Sequence, residues 1–448
     1  MPRLVPRFLL ALACSFDLCY PWVLSLKYPY FSSSFPLSFL IHPSLPPLSL
    51  SLSLNATSTH QIQQTNMFAS LVGLIHQPSI AIRIPNDDST FNPKEYPSLV
   101  FVATGKVQGK VRLIHGTEDD SGLGMISTRI WVTKESDKDE VAVRTSFDNK
   151  THTFTLQGPT RFSSFNIYHE TTIQIPESSR YMDSLRVEAP NSSFSTDKLD
   201  NLTWSSVQSD LSNSTIAIQS LHADTINLRT SNSSISGTFV AGHINLNTSN
   251  GSISAKLLVQ DAQDGRQSAV VTKTSNASIN LHVDATPTRQ GLLMENSTKN
   301  GKVVVGTLLG RASRNSTIST TTVNGKIEFN LDASQSGQAL EVINKTMNGS
   351  IVSSIMVPVH QEFKGHARSS NGSVTVNLSE AFQGHFDLET SNSPVAVEGS
   401  NLQFEHDKKS SKRGTHGQGP STMKIVTSNS SANLRIYPVG ESPATDRM

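Results

Sequence analysis

Hydrophobic and polar positions in the C-terminal half of the chain alternate in phase with a recurring asparagine. Counted from that Asn, apolar residues or Thr fall at −6, −4 and −2, and apolar residues fall at +3 and +5. Around Asn324 these positions hold Ile318, Thr320, Thr322, Ile327 and Phe329. A period of two on each side of the Asn indicates two strands, each with one buried face. The change from even to odd offsets predicts that the chain turns a corner at the Asn.

The motif around this Asn is Thr-x-Asn-Gly-Ser-Ile, and its clearest copies span 248–253 and 346–351. Successive motif Asn residues lie 18 to 26 positions apart, except for a last step of 37. Degenerate copies centre on Asn191, Asn213, Asn232, Asn276, Asn300, Asn324, Asn371, Asn392 and Asn429. Repeats of this length are typical of solenoids, propellers or arrays.

Two architectures fit the pattern at each Asn. Asn-Gly is a hairpin signal, but hairpins throughout would give an antiparallel meander of about twenty strands, too many for an ordinary open sheet. In a parallel β-solenoid each copy would stack on the previous one, so that the Thr at −2 stacks on itself and the Asn amides bond from rung to rung at a buried corner. The repeated Thr favours the solenoid.

The predicted fold is therefore all-β: a right-handed parallel β-helix or solenoid of about eleven rungs over 185–437, preceded by a β-rich N-terminal domain. We expect a structural ladder of corner side chains. Its members are Asn232, Asn250, Asn276, Asn300, Asn324, Asn348, Asn371, Asn392 and Asn429.

The segment before the repeats, 67–184, carries short alternating runs separated by turn signals, which predict strands and little helix. These runs are 98–102, 125–132 and 171–175. We expect this segment to cap the solenoid. Within the repeats, 405–420 has no apolar residue and many breakers, which predicts a solvated loop, and 438–448 reads as a polar tail.

The first 66 residues differ from the rest. Arg3 and Arg7 precede an apolar run at 8–14, as in a signal peptide, but Asp17 follows and no clean cleavage site is evident. One interpretation is a poor signal peptide or signal anchor with a Ser-rich spacer, which predicts a secreted or cell-surface protein. The other is an extension outside the functional protein, with Met67 as the true start and a cytoplasmic location. No integral membrane span and no C-terminal anchor are expected.

Composition limits the classes of partner and of site that the sequence supports. The formal net charge is +1 and only 16% of residues are charged, so no electrostatic feature predicts nucleic-acid binding. Cys14 and Cys19 are the only cysteines, so the body holds no disulfide and no Cys-based metal site.

The Ser-Asn-Gly-Ser-Ile rungs, preceded by 172–176 and 185–188, resemble the putative-adhesin β-solenoid domains of unknown function found in bacteria and fungi. The resemblance covers about 165–436. It implies a solenoid architecture and an adhesin-like role, and it supplies no catalytic residues.

Glycosylation sequons are frequent in the sequence. The repeat itself generates many of them, because its corner reads Asn-Gly-Ser. The better glycan candidates lie off the motif: Asn149, Asn201, Asn247, Asn315 and Asn377.

Other polar clusters are interpreted as surface features. The acidic runs 118–120 and 137–140 lack calcium-loop spacing, and the basic residues at 408–413 read as a flexible loop. The histidines show no metal spacing and are assigned to surface or corner positions. Glu328, Asp332 and Glu341 form no acidic column, so neither catalytic residues, a metal site nor a cofactor is predicted.

The function these observations favour is a non-enzymatic, adhesin-like structural or binding protein that uses the solenoid faces to contact a protein or a glycan. Two alternatives stay open. One is a carbohydrate-active β-helix enzyme, which would need two carboxylates converging in a cleft. The other is an intracellular scaffold whose rods associate end to end.

Overall fold

Strand after strand, side chains alternate between buried and exposed, as the sequence pattern predicts. The computed structural model describes residues 82–116, 122–160, 167–358 and 360–438. These residues belong to one unit that spans 77–448. The predicted leader 1–66, which holds Cys14, Cys19 and the sequon at Asn55, lies outside the described residues, as do the proposed start at Met67 and the tail after 438.

The N-terminal part supplies eight strands and one short helix. The strands are β1 (Ile82–Ile84), β2 (Ser89–Phe91), β3 (Ser98–Thr104), β4 (Val107–His115), β5 (Gly124–Val132), β6 (Ala142–Asp148), β7 (Thr151–Gln157) and β8 (Ile167–Ile175). A 3-10 helix, Glu135–Glu140, is the only helix in the described ranges. The three strand segments predicted here from alternation are confirmed as parts of β3, β5 and β8.

The repeat region continues with strands on both sides of each motif Asn. They are β9 (Tyr181–Glu188), β10 (Ser192–Asp210), β11 (Ile216–Arg229), β12 (Ile235–Ala241), β13 (His243–Asn247), β14 (Ile253–Val259), β15 (Ser268–Lys273), β16 (Ile279–Ala285), β17 (Leu292–Ser297), β18 (Val303–Leu309), β19 (Ser316–Thr321), β20 (Ile327–Asp332), β21 (Leu340–Lys345) and β22 (Ile351–Met356).

The C-terminal part adds eight more strands. They are β23 (Phe363–Ser369), β24 (Val374–Ser379), β25 (Gly384–Thr390), β26 (Val395–Glu398), β27 (Leu402–Lys408), β28 (Ser411–His416), β29 (Ser421–Thr427) and β30 (Ala432–Tyr437).

Each rung consists of a strand before the corner, the corner and the strand after it. The strands before the corners pair in parallel, as β13 does with β15 and β15 with β17, and form the pre-corner sheet. The strands after the corners do the same and form the post-corner sheet, as β14 does with β16 and β16 with β18. The long strands β10 and β11 bend and contribute to both sheets. The parallel solenoid prediction is confirmed, and the hairpin alternative is wrong for these corners.

The core lies between the two sheets. The inward positions predicted around Asn324 are all buried, with Phe329 completely so. Other fully buried aromatic side chains are Trp204, Phe194, Phe239, Phe363 and Phe386. The buried apolar residues form one continuous cluster from Phe91 to Ile436.

At the C-terminal end the rungs do not stack in sequence order. Strand β23 pairs with β29, and β29 in turn pairs with β25. In the post-corner sheet β24 pairs with β30, and β30 with β26. The last rung in the sequence is thus inserted between the two rungs that precede it. The expectation that each copy stacks on the previous one is wrong at this end.

The N-terminal end shows the same arrangement in mirror order. Strand β3 lies between β7 and β9, and β4 lies between β8 and β10. The first rung in the sequence is therefore also enclosed by two later ones. On the outer side of the β7–β8 rung, β5 pairs antiparallel with β8 and β6 pairs antiparallel with β7. These two strands cover the end of the sheets. The two sheets run without interruption across residue 184, where the N-terminal segment was predicted to end.

The segment 405–420, expected to be a solvated loop, is mainly a β-hairpin. Strands β27 and β28 pair antiparallel, and β28 pairs antiparallel with β25 at the edge of the pre-corner sheet. The Phe404 ring meets Phe386 edge-on with 5.7 Å between centroids, and Lys412 Nζ lies 5.3 Å from the Phe404 centroid. A hairpin at a sheet edge can expose most of its side chains to water. Its sequence therefore needs no alternation of apolar residues and resembles that of a loop.

Candidate functional site

At corners that hold Gly, the Thr at −2 makes two hydrogen bonds, one to the previous rung and one within its own corner, and Ser369 does the same at the Asn371 corner. Thr322 Oγ1 donates to the carbonyl of Gly301 on the previous rung at 3.2 Å and accepts from Gly325 N–H of its own corner at 3.1 Å. Thr346 repeats the pair with Gly325 and Gly349, both at 3.2 Å. These Thr side chains are buried. A hydroxyl at −2 therefore ties neighbouring rungs together at a point that water does not reach.

The motif Asn side chains form a continuous ladder along the outside of this corner. Each Nδ2 donates to the Oδ1 of the Asn on the neighbouring rung at 2.6–2.9 Å. The ladder runs through Asn191, Asn213, Asn232, Asn250, Asn276, Asn300, Asn324, Asn348, Asn371, Asn429 and Asn392, in that spatial order. From Asn213 onward these residues are exposed, so the corner is not the buried one that was expected.

Glycine at the corner allows the close approach of successive rungs. A Cβ on Gly325 would lie 1.7 Å from the carbonyl oxygen of Gly301. Corners that hold Ser or Ala instead, such as Ser233, show that the chain accommodates a side chain at other rungs.

The off-motif sequon candidates occupy different environments. Asn149 has a φ of 44° at the exposed tip of the β6–β7 turn, and Asn201 and Asn315 are also exposed. Asn247 is half-buried. Asn377 is only 8% exposed and its Nδ2 donates to Ser354 Oγ at 3.3 Å, so the structure argues against a glycan there.

Two further sequon asparagines lie inside the core. Thr272 Oγ1 donates to Asn296 Oδ1 at 2.8 Å, and Asn296 Nδ2 donates to Thr320 Oγ1 at 3.4 Å. On the next rung Asn344 Nδ2 donates to Ser353 Oγ at 3.0 Å. The contacts of Asn296 pair buried polar groups between rungs, whereas Asn344 and Ser353 belong to one rung, on either side of its corner.

A shallow groove of about 190 Å³ lies on the outer face of the post-corner sheet. Gly306 forms its floor on β18, between His282 of β16 and Asn330 of β20. Leu308, Met356 and Tyr437 supply its apolar lining. The sequence analysis missed this groove, although a glycine inside a strand is a signal for the close approach of another group.

The polar groups His282, Asn330 and Ser354 of the groove lie in one row across the strands, with Gly306 between the first two. Ser354 follows Asn330 in the same cross-strand row. Burial, with a smaller contribution from the nearby Asp332 carboxylate, raises the pKa of Tyr437 above its ordinary value. The phenol therefore keeps its proton at neutral pH and can donate a hydrogen bond. A groove with one aromatic ring, an amide, a hydroxyl and an imidazole can bind a small polar ligand.

Of the carboxylates at this groove, Asp284 and Asp332 come closest to the arrangement that a catalytic pair would need. Leu308 separates them, so their strands lie about 9–10 Å apart. Asp284 Oδ1 accepts from Thr286 N–H at 2.9 Å and from its Oγ1 at 2.6 Å. Asp332 Oδ1 accepts from Ser334 N–H at 3.0 Å and from its Oγ at 2.7 Å. Both carboxylates thus stabilise the turns that end their strands.

The remaining sequence candidates lie apart from the groove. Glu328 forms ion pairs with Lys302 and Lys326, and Glu341 is exposed on the opposite sheet. The acidic run 137–140 lies in the 3-10 helix at the surface, and the run 118–120 lies outside the described residues. The basic residues 408–413 belong to the β27–β28 hairpin.

Three histidines contradict their assignment to the surface. His416, at the C-terminal end, is only 6% exposed, and its Nδ1 lies 2.6 Å from the carbonyl oxygen of Phe382. His152 and His169 are completely buried near the N-terminal end. His169 Nδ1 contacts Thr171 Oγ1 at 2.9 Å and its Nε2 contacts Ser192 Oγ at 2.8 Å. Burial lowers the pKa of His169 to about 3 and that of His152 to about 4, so both rings are neutral at pH 7.

Within the described ranges, no group of three or more His, Cys, Asp or Glu side chains is placed to hold a metal ion. No helix in the same ranges has the length and hydropathy to cross a membrane.

No protein-family model matches the sequence, and no curated protein does. Among solved structures, a "putative cell adhesion protein" from Clostridium sporogenes aligns at 10% identity, covering 80% of this chain and 100% of that chain with a TM-score of 0.17. A "putative adhesin" from Parabacteroides distasonis aligns at 10% identity, covering 78% of this chain and 96% of that chain with a TM-score of 0.26. Such low TM-scores carry no argument about the function of this chain.

Proposed function

We propose that this chain is a non-enzymatic, adhesin-like binding protein whose outward sheet faces contact a glycan, with the groove around Gly306 as a point of contact. The observation that carries the proposal is this groove on an otherwise regular face. Its floor is open because Gly306 has no side chain, and a Cβ there would meet only His282 Nδ1, at 3.7 Å. Glycine at this position keeps space for a ligand.

The mixed lining suits a sugar ring better than a purely apolar partner. The CH face of a sugar can pack on the Tyr437 ring, while its hydroxyls can bond Asn330, Ser354 and His282. Asp284 and Asp332 are already engaged by their turns, which supports binding over hydrolysis at this place. The motif resemblance to the putative-adhesin group points in the same direction.

The arrangement of both ends favours a discrete rod over the end-to-end scaffold. Antiparallel strands cover both ends, and charged residues of the β27–β28 hairpin line the C-terminal edge. Val395 N–H donates to Lys409 O and Thr390 N–H donates to Ser410 O, each at 2.9 Å, so the hairpin turn also covers the last rung. Charged and antiparallel edges oppose pairing with a second chain.

The test is a glycan array with the full chain, followed by titration of the best binder against two variants. Gly306→Gln fills the groove, whereas Gly337→Gln adds the same side chain where nothing lies within 4 Å. We expect Gly306→Gln to weaken glycan binding about tenfold or more, because the Gln side chain must leave the groove before the ligand can enter. Gly337→Gln should leave the affinity unchanged. Equal affinity of both variants would remove the groove from the proposal.

A parallel screen for polysaccharide hydrolysis and elimination tests the enzyme alternative. Turnover that Asp332→Asn abolishes would overturn the non-enzymatic assignment. Light scattering over a range of concentrations tests the scaffold alternative, which predicts growing oligomers.

The proposal includes secretion or surface display. N-terminal sequencing of the native protein and a gel shift after deglycosylation test this part. A start at Met67 with no gel shift would assign the protein to the cytoplasm and leave the groove without an extracellular glycan.

A further inference from the structure

The outer face of the post-corner sheet carries a second groove, of about 400 Å³, at the N-terminal end. It lies across β4, β8 and β5. Two cross-strand rows line it, one of Lys110, Glu170 and Arg129, and one of Arg112, Thr172 and Ser127. None of these residues belongs to the groove around Gly306, and the two grooves do not depend on each other.

Positive charge dominates this basic groove, which we define by the two rows just named. Arg112 is oriented by Asp197, with its Nε 3.0 Å from Oδ1 and its Nη2 2.6 Å from Oδ2. Lys110 and Arg129 are exposed and flank Glu170 from the two neighbouring strands. Their backbones are therefore about 9–10 Å apart, two strand spacings. The two rows hold three cations, two hydroxyl groups and the Glu170 carboxylate, and Asp197 on β10 adds a second carboxylate beside Arg112.

An aromatic pair adjoins the basic groove on the same face. Trp131 and Tyr168 face each other across β5 and β8, with ring centroids 5.6 Å apart. Tyr168 donates to Glu170 Oε1 at 3.3 Å, which links the pair to the charged row. Arg83 of β1 pairs with Trp131 and adds a fourth exposed cation beside the rings. Cations, hydroxyl groups and aromatic rings thus lie together on four strands, β1, β4, β5 and β8.

We propose that the basic groove binds an acidic polysaccharide, with its anionic groups on Lys110, Arg112 and Arg129 and a sugar ring against the Trp131–Tyr168 pair. Arginine and lysine donate charge-assisted hydrogen bonds to carboxylate or sulfate oxygens. Glu170, set between two cations, accepts from sugar hydroxyl groups. Sulfate esters and uronate carboxylates share this chemistry, and either can supply the anions.

The central carboxylate distinguishes this ligand from a nucleic acid. A nucleic-acid strand carries a phosphate at every nucleotide and would place one of them against Glu170. A polysaccharide with separated anionic groups leaves hydroxyls at that point instead. The spacing of Lys110 and Arg129 on either side of Glu170 fits separated anions.

The experiment is a calorimetric titration of the full chain with dextran sulfate oligosaccharides, polygalacturonate oligosaccharides and uncharged dextran at low and high salt. We expect one of the two acidic probes to bind, with affinity that falls as salt rises, and dextran not to bind. The double variant Lys110→Gln/Arg129→Gln should weaken that binding by at least about tenfold, because charge-assisted hydrogen bonds are lost.

The matched control is the double variant Arg144→Gln/Lys256→Gln. It removes the same charge from two exposed positions on β6 and β14, outside the groove. An unchanged affinity in this control supports the proposal, whereas an equal loss would show attraction by net charge alone and overturn it. Failure of both acidic probes to bind the unaltered chain would also overturn it.

Two more measurements complete the test. Trp131→Leu keeps an apolar side chain but removes the indole ring, and we expect weaker binding with unchanged far-ultraviolet circular dichroism. A single-stranded oligodeoxythymidine serves as the competing probe. If it binds more tightly than both acidic polysaccharides and loses affinity in the Lys110→Gln/Arg129→Gln variant, the groove is a nucleic-acid site and the polysaccharide proposal is wrong.

Discussion

The middle of the solenoid and its two ends obey different rules of stacking. From β13 to β24 each rung rests on the one before it in the sequence, the Asn ladder runs through every corner, and the residue at −2 is Thr except for Ser369. At the ends the terminal rung is enclosed by two others, and antiparallel strands follow. At the C-terminal end the ladder chemistry is the same as in the middle, since Asn429 bonds Asn371 and Asn392 just as central asparagines bond their neighbours. The enclosed rung at the N-terminal end, β3–β4, turns at Gly105 and carries no ladder Asn.

The ladders specify that rungs stack, but not which rung stacks on which. The Asn371 corner bonds the Asn429 corner and not the Asn392 corner, which follows it in the sequence. What fixes the order at the ends is the closure of the sheets. An outermost strand exposes unpaired N–H and C=O groups, and enclosing the terminal rung places it where both of its edges are paired.

The largest expected effect comes from removing the enclosed rung. Ending the chain after Pro420 deletes β29 and β30 and leaves β25 about 9–10 Å, two strand spacings, from β23. We expect residues 384–416 to lose amide protection in hydrogen exchange, while 243–356 keep theirs. Ending the chain after Tyr437 is the control and should change neither region. Retained protection of 384–416 would show that β25 can dock directly on β23.

In the middle, a buried aromatic side chain should carry a large share of stability. Phe329→Ala removes a completely buried ring and should lower the free energy of unfolding by about 3–5 kcal/mol. Val352→Ala on the neighbouring strand, where the side chain is exposed, should change it by about 0.5 kcal/mol or less. Urea denaturation of the two variants measures the difference. Equal midpoints would contradict the assigned inward phase.

The corner ladder predicts a smaller loss. Thr322→Val keeps the shape of the side chain but leaves the buried Gly325 N–H without its acceptor, which should cost about 1–3 kcal/mol. Thr321→Val, one residue earlier and facing outward, is the matched control. A cost shared equally by both variants would mean that the hydroxyl at −2 is not what joins the rungs.

The smallest expected effect, counted per pH unit, is a loss of stability at low pH. It should affect the N-terminal end and not the middle. The folded state holds His169 neutral, with a pKa of about 3, whereas an unfolded chain protonates it near the ordinary value of 6.5. The stability due to neutral His169 is therefore complete above about pH 6.5 and is lost as the pH falls toward 3, by up to about 1.4 kcal/mol per pH unit.

Hydrogen exchange at pH 7 and pH 5 measures this difference. We expect the strands around His169 and His152 to lose protection first, because central histidines such as His282 lie at the surface. Corrected for the pH dependence of exchange itself, uniform loss along the solenoid would contradict a local origin. His169→Gln should reduce the pH dependence at the N-terminal end even if it lowers stability at neutral pH.

The two candidate sites show what the sequence pattern can predict about the surface and what it cannot. Gly306 and Lys110 lie at outward positions, where the alternation fixes only that a side chain faces away from the core. Nothing in the repeat requires His282, Asn330 and Tyr437 to meet, because Tyr437 comes from a rung more than a hundred residues later in the chain than Leu308. The insertion of β30 beside β24 brings that rung close.

The sequence by itself determined the rung: two strands, their inward faces, and a corner with Thr inside and Asn and Gly at the turn. It could do so because these features depend on residues within about one repeat and recur in every copy, so that period and phase reveal them. It also gave the correct number of motif rungs, since each carries one Asn.

Only the tertiary structure decided the order of the rungs at the ends, the outward side of the Asn ladder, the burial of His152 and His169, and the two surface grooves. Equivalent ladders make neighbouring rungs interchangeable as far as local pattern is concerned. The choice among them is made by closing sheet edges and filling the core, which are properties of the whole assembly of strands and of no single segment.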